Sequence, residues 1–292
     1  GEREQVSIPA ERPLTVYVDK RELVTLMTLG AQPELLVLGY LRNQRLVESV
    51  FDIESITVDW DVNAAAVRTR HGIERIEERT ASKVVTTGCG QGSVFGGLMD
   101  EVDRIVLPEA RLTQAQLYGI VNAIRIKETT YKSAGSVHGC ALFQGEALLT
   151  FVEDVGRHNA IDTIAGWMWM NAQAPQAAQA HSPLAMAAET ETETETGTIQ
   201  PMSGADKVFY TTGRLTSEMV IKSAQMGVPI VVSRSGMTQM GHAVAQQLGL
   251  CAIGRATNRR FVCYTGADRL VLQPGLAQPP VIAPLPGLAA AS

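Results

Sequence analysis

The segment Thr86-Thr87-Gly88-Cys89-Gly90-Gln91-Gly92-Ser93 sets one thiol among three glycines. Glycine leaves the backbone open and frees its N–H groups to face an anion. Such donors favour the thiolate, which is the reactive form of cysteine. Cys89 is therefore the candidate reactive thiol, on a loop between strands; the competing reading is a turn whose cysteine is incidental. Cys140, Cys251 and Cys263 sit in apolar strand patterns and are expected in the core, where cysteine behaves as a small hydrophobe. His138 and Cys140, in Ser136-Val137-His138-Gly139-Cys140-Ala141-Leu142, raise a zinc reading. A zinc deaminase needs a His- or Cys-x-Glu element followed by Pro-Cys-x-x-Cys. Here Cys140 stands where the glutamate belongs and no Cys-x-x-Cys pair exists, so no zinc and no other metal site are expected.

A second concentration of polar chemistry is Glu153-Asp154-Val155-Gly156-Arg157-His158-Asn159-Ala160-Ile161-Asp162. One account is structural: Asp154 caps a helix and Arg157 pairs with Asp162. The other aims Arg157, His158 and Asn159 at a ligand phosphate or at the thiol loop. Both stay open on the residues alone. Arg214, Arg234 and Arg255 each follow a predicted strand, with Ser233 directly before Arg234. Three arginines at equivalent strand ends suit a shared anionic ligand, because each guanidinium can bind an oxyanion through two parallel N–H groups. No Gly-x-Gly-x-x-Gly or P-loop string accompanies them, so a standard dinucleotide or P-loop site is not indicated.

The elements that must position these groups follow from periodicity. Residues 14–18 and 22–26 read as a hairpin across Asp19-Lys20-Arg21, and 53–60 with 64–70 as a second strand pair. A helix begins at Pro33 and carries Leu35, Leu36, Leu38 and Leu41; another over 112–127 places Leu117, Ile120, Val121 and Ile124 on one face. Residues 137–143 and 147–152 form a hairpin across Gln144-Gly145-Glu146, followed by a helix over 156–170. Strands at 207–210, 230–232 and 251–253 alternate with helices at 215–226 and 241–248, and 261–264 completes the series. Strand–helix–strand alternation means parallel pairing and a covered sheet, with ligands at the carboxyl ends of the strands.

The chain of 292 residues is long enough for one large domain or two modest ones. Its organisation reads as a β-rich part over 13–110 carrying Cys89, and an α/β part over 111–170 and 206–272. Residues 171–205, with four Glu-Thr repeats, are expected to be a disordered insertion, and 273–292 a Pro/Ala-rich tail. A net charge of −5 argues against nucleic acid as a partner, and the lack of a long apolar run argues against a membrane. Four widely spaced cysteines and a polar start without an export signal fit a reducing, cytoplasmic setting.

The run 153–162 resembles the hallmark of the FdhD/NarQ family of formate dehydrogenase accessory sulfurtransferases. Thr212-Gly213-Arg214-Leu215-Thr216-Ser217-Glu218-Met219-Val220-Ile221-Lys222 and Gly227-Val228-Pro229-Ile230-Val231-Val232-Ser233-Arg234-Ser235 resemble its second hallmark. The likeness extends to residues 34–40 and 136–142 and covers roughly 13–170 and 206–272. It implies a fold like the cytidine deaminase α/β sandwich without zinc, in a homodimer. It implies that Cys89 takes persulfide sulfur from a cysteine desulfurase. That sulfur would pass to the molybdenum (or tungsten) bis-guanine-dinucleotide cofactor destined for formate dehydrogenase. Arg157, His158, Arg214, Ser233 and Arg234 would bind this cofactor. So would the stretch Tyr264-Thr265-Gly266-Ala267-Asp268-Arg269. One departure stands out: many members carry Cys-x-x-Cys on the loop, and here Gly92 takes the second place. A lone thiolate can accept sulfane sulfur but cannot expel it by closing a local disulfide, which adds weight to a carrier or a cofactor chaperone.

Overall fold

The computed structural model describes residues 8–74, 76, 102–127, 134–171 and 202–276. The Cys89 loop, the Glu-Thr repeats and the end of the chain lie outside these residues. Alternating apolar side chains form β1 (Arg12–Val18) and β2 (Arg21–Thr28), joined through Asp19 and Lys20, both at positive φ as a two-residue hairpin turn requires. β3 (Ile53–Asp59) and β4 (Ala64–Thr69) make the second expected hairpin. The two hairpins join through a parallel β1–β4 seam into one sheet of order β2-β1-β4-β3. Helix α1 (Pro33–Asn43), begun by proline at its first turn, covers this sheet. Leu36, Val37 and Leu41 meet Leu14, Val16 and Val67 there.

The larger layer is a six-stranded mixed sheet. β6 (His138–Gln144) and β7 (Ala147–Asp154) form a hairpin, β8 (Lys207–Thr211), β9 (Ile230–Ser233) and β10 (Cys251–Thr257) run parallel, and β11 (Arg260–Thr265) returns against β10. The spatial order is β11-β10-β9-β8-β6-β7, with an antiparallel β6–β8 seam. The period-two alternation of each strand divides its side chains between two cores. Cys140, Phe209, Val231 and Ala252 face α3 (Arg157–Met170), α4 (Ser217–Gln225) and α5 (Gln239–Gln247). Ala141, Tyr210, Val232 and Ile253 face α2 (Gln114–Lys127). The expectation of a mixed α/β sheet with a β-rich N-terminal part is met. A small third sheet pairs β5 (Leu112–Thr113) with β12 (Leu270–Val271). Among the described residues no helix is long and apolar enough to cross a membrane.

Two boundaries differ from expectation. Gly204, assigned by composition to the insertion, backs onto Met226 and Gly227 so closely that a Cβ would stand 2.4 Å from the Met226 carbonyl oxygen. Gln273, assigned to the tail, donates its N–H to Gln114 Oε1 at 2.8 Å and accepts from the Ala115 N–H at 2.9 Å. Single backbone and side-chain contacts of this kind leave no compositional trace.

The β-rich part and the larger layer are locked together by α1 crossing α3. A Cβ on Gly39 would stand 1.6 Å from the Asp162 carbonyl oxygen, and one on Gly166 would stand 2.1 Å from that of Leu35. At the same crossing Asp162 accepts from Lys222 Nζ at 2.8 Å and from Asn43 Nδ2 at 2.7 Å, with both charged side chains wholly buried. Two consequences follow for denaturation by urea. Gly166→Ala forces the helices apart and should lower stability by about 3 kcal/mol, the upper range for overpacking. Lys222→Met strands the Asp162 carboxyl and should cost about 3–5 kcal/mol, most of it recovered in Asp162→Asn/Lys222→Met. An unchanged midpoint in either single variant contradicts this account.

Candidate functional site

At the carboxyl ends of β8 and β9 the chain turns through Thr212-Gly213-Arg214 and Arg234-Ser235. Because β6 is antiparallel to β8, its first residue, His138, arrives at the same end; Cys140 is opposite Thr211. The turn is held by short bonds. Thr212 Oγ1 accepts from the Gly139 N–H at 3.0 Å, and Ser233 Oγ donates to the Gly213 carbonyl at 2.7 Å. The N-terminus of α3 points into this corner with Arg157 and His158, which are 7% and 2% exposed. Gly213 keeps the corner open: a Cβ there would stand 3.0 Å from Arg157 Cδ and 3.4 Å from His138 Nδ1. That His138 nitrogen is buried and has no hydrogen-bond partner among the described residues.

The charge of this corner is unusual for its place. The first turn of α3 holds no acidic residue, although the helix dipole favours anions there. Instead two basic side chain types occupy it, and Arg214 adds an exposed guanidinium. Burial pushes the His138 imidazole below its ordinary range, and Arg157 and Arg214 push the same way against Asp154. Burial likewise holds His158 well below that range, reinforced by Lys222, Arg157 and His138. His158 is therefore neutral at pH 7. Its Nε2 stands 3.2 Å from Glu218 Oε2, yet out of line for a hydrogen bond. The guanidinium groups of Arg157 and Arg214, the helix N–H groups and a neutral imidazole are donors suited to a phosphate or another oxyanion, opposed by the Glu218 and Asp154 carboxylates.

The sequence-predicted residues divide. Arg157, His158 and Arg214 meet here, together with His138, which sequence reasoning treated only as a zinc ligand. Glu218 was overlooked, although its place in the first turn after Thr216-Ser217 marks a helix start beside the same strand end. Ser233 ties the two strand-end turns together through Gly213 and the Ser235 N–H. Arg234 leaves on the other face of the sheet, sharing the side of Val232, and lines an open cavity of about 70 Å³ with Tyr210, Ile124 and Asn258. Tyr264 lies against Gly254, with its hydroxyl near Gly236.

The rest of the predicted C-terminal stretch sits at the amino end of β10, away from this corner. Thr265 Oγ1 donates to the Leu250 carbonyl at 2.7 Å, and Arg269 donates to the carbonyls of Gly249 and Pro108 at 3.0 and 2.7 Å. Gly266 packs on Cys251, and Ala267 and Asp268 are exposed on a 3-10 turn. Cys89 lies outside the described residues.

Three expectations are corrected. Asp154 does not cap α3, whose N-cap is Gly156. Its carboxylate accepts from the Thr28 hydroxyl, the Leu29 and Gly156 N–H groups and the Asn159 amide, tying the hairpin of the β-rich part to α3. Arg157 does not pair with Asp162, because a spacing of five residues puts them on different helix faces; Lys222 takes that role. Cys263 is half-buried rather than core, since β11 is an edge strand. Cys140 is buried as expected, its thiol pushed up to about 12 by burial. Among the described residues no group of His, Cys, Asp and Glu is placed to hold a metal ion.

Comparisons with known proteins bear on this geometry. The profile of the FdhD/NarQ family matches residues 9–182 and 196–271. A Bacillus subtilis protein named sulfur carrier protein FdhD is 27% identical over 261 residues, 89% of this chain and 88% of the relative. A Wolinella succinogenes protein of the same name is 26% identical over 94% of this chain and 85% of its own. A crystal structure described as a formate dehydrogenase accessory protein, from Desulfotalea psychrophila, superposes with a TM-score of 0.65. It is 21% identical and covers 90% of each chain, so it bears on fold.

The depressed histidines give a pH signature. With folded values below the unfolded ones, the unfolded chain binds more protons as pH falls past about 6.5. Stability from keeping these imidazoles neutral is complete above that pH and is lost as pH falls from there toward the folded values. His158→Gln should therefore lose less stability than the parent between about pH 7 and pH 5, read as the shift in urea midpoint. Equal shifts in both proteins would contradict a buried neutral His158.

Proposed function

The chain belongs to the FdhD/NarQ family, and from that premise we propose that it is a sulfur carrier and sulfurtransferase serving formate dehydrogenase. The observation that carries the proposal is the cluster of side chains at the start of α3. There Arg157, His158, His138 and Arg214 gather at the strand ends of a chain whose relatives are named sulfur carriers. In this reading the Cys89 thiolate attacks the outer sulfur of a persulfide on a cysteine desulfurase. The desulfurase cysteine departs as thiolate, leaving Cys89 as the persulfide. The substrate that receives the sulfur is the molybdenum or tungsten bis-guanine-dinucleotide cofactor. Its phosphates suit the guanidinium groups of Arg157 and Arg214.

Ser233 acts on this site by holding Gly213 in place. Arg234 and Tyr264 would serve a second part of so long a ligand; the stretch Thr265 to Arg269, held at the amino end of β10 by bonds to Leu250, Gly249 and Pro108, lies apart from it. A homodimer working in the cytoplasm completes the proposal, as does a deaminase-like, zinc-free sandwich for the larger layer. A narrower reading, a chaperone that binds and delivers the cofactor without moving sulfur, is favoured by Gly92 in place of a second loop cysteine.

Intact mass after incubation with a cysteine desulfurase and free cysteine separates the two readings. The parent should gain one cyanide-labile sulfur and Cys89→Ala none. No gain on the parent would overturn the carrier in favour of the chaperone. In either case Arg157→Gln should weaken binding of the guanine dinucleotide by about tenfold or more.

A further inference from the structure

A phosphate does not account for one charge at the strand-end corner. Glu218, in the first turn of α4, brings its Oε2 to 3.2 Å from His158 Nε2 at the start of α3. The two do not pair. His158 is 2% exposed, and neither of its ring nitrogens has a hydrogen-bond partner among the described residues. Glu218 likewise accepts no hydrogen bond from any described group, although its side chain is only 16% exposed. Thr216, the N-cap of α4, makes no capping bond with its side chain, and its Oγ1 is buried without a partner. Two helix starts thus converge on polar groups whose bonding capacity is unspent.

The surroundings restrict what can spend it. A carboxylate offers about four lone-pair sites, and leaving them empty in a recessed place is costly. A cationic donor is disfavoured by Arg157 and Arg214, whose charge already bears on His138. Because burial keeps His158 neutral, no imidazolium competes for the carboxylate. What remains is a neutral group with two parallel N–H donors, matched to two carboxylate oxygens. The 2-amino-4-oxopyrimidine edge has this form, with a ring N–H beside an exocyclic amine. Guanine and pterin share that edge; adenine and hypoxanthine lack it.

We propose that Glu218 is a specificity-determining residue that accepts the ring N–H and the amine of a 2-amino-4-oxopyrimidine edge on its two carboxylate oxygens. This deepens the cofactor reading and rests on it for the ligand. It gives the opposed charges of the corner separate tasks, guanidinium groups for phosphate and the carboxylate for the base. Gly213, where a Cβ would crowd Arg157 and His138, leaves space beside them.

The test is equilibrium binding to the full chain by calorimetry, with two matched pairs of probes. GDP and IDP differ only in the 2-amino group, and pterin and lumazine differ at the same ring position. The parent should bind the amino member of at least one pair about tenfold or more tightly, as a hydrogen bond to a charged acceptor warrants. Glu218→Gln turns one acceptor into a donor and should bring that ratio to about one, with binding of the other member unchanged. Unchanged binding of IDP or lumazine and an unchanged circular dichroism spectrum show that the variant is folded. Discrimination within the first pair assigns the edge to guanine, and within the second to pterin. Equal binding within both pairs by the parent, or discrimination that survives Glu218→Gln, overturns the proposal and leaves the cofactor reading standing on its phosphate contacts. Binding of none of the four probes by the parent overturns the cofactor reading as well.

Discussion

The buried pairing of Asp162 with Lys222 and Asn43 is the contact on which the arrangement of the chain turns. Its three members come from α3, α4 and α1, so it joins the β-rich part to both halves of the larger layer. Burial pushes the Asp162 carboxyl up while the ammonium and the amide pull it down. A charged pair in such a place adds little net stability, because desolvation consumes most of the attraction. What it does is forbid alternatives. Any shift of α1 along α3 would strand a charge, just as any side chain at Gly39 or Gly166 would collide with backbone. Helix position is thus set by two independent constraints, one electrostatic and one steric.

The site inherits its character from that position. Burial keeps the His158 imidazole neutral, and Lys222, the cation that anchors the helices through Asp162, adds to it. Arg157 opposes the helix dipole at its own end of α3, and Gly213 gives up a side chain to leave space beside it. Local rules broken in this way recur where function outweighs stability. Asp154 provides the counterweight. It spends its hydrogen bonds on Thr28, Leu29, Gly156 and Asn159, fixing the start of α3 against the hairpin.

Much of this was legible in the sequence where the signal was local. The Asp19-Lys20 turn, the proline-started α1 and the strand–helix alternation after residue 206 all follow from residue type and period. The arginines at strand ends were legible too, but their faces were misjudged. Arg234 shares a side with Val232, and strand alternation alone sends it toward α2, away from Arg214. Non-local choices left no trace: the parallel β1–β4 seam, the antiparallel β6–β8 seam, and a partner for Asp162 sixty residues away. A charged residue near an opposite charge in sequence invites a local pairing that helix geometry forbids, which is why Arg157 and Asp162 were wrongly joined.

The cysteines carry the same lesson in chemical form. Cys140 and Cys251 are equally buried, and composition or strand pattern cannot tell them apart. Cys140 meets the Thr211 hydroxyl and stays an inert thiol. Cys251 lies among the apolar side chains that face α2. Cys263 stays reachable because β11 has no outer neighbour among the described residues. Among the described cysteines, exposure of the thiol is thus decided by the strand's place in the sheet.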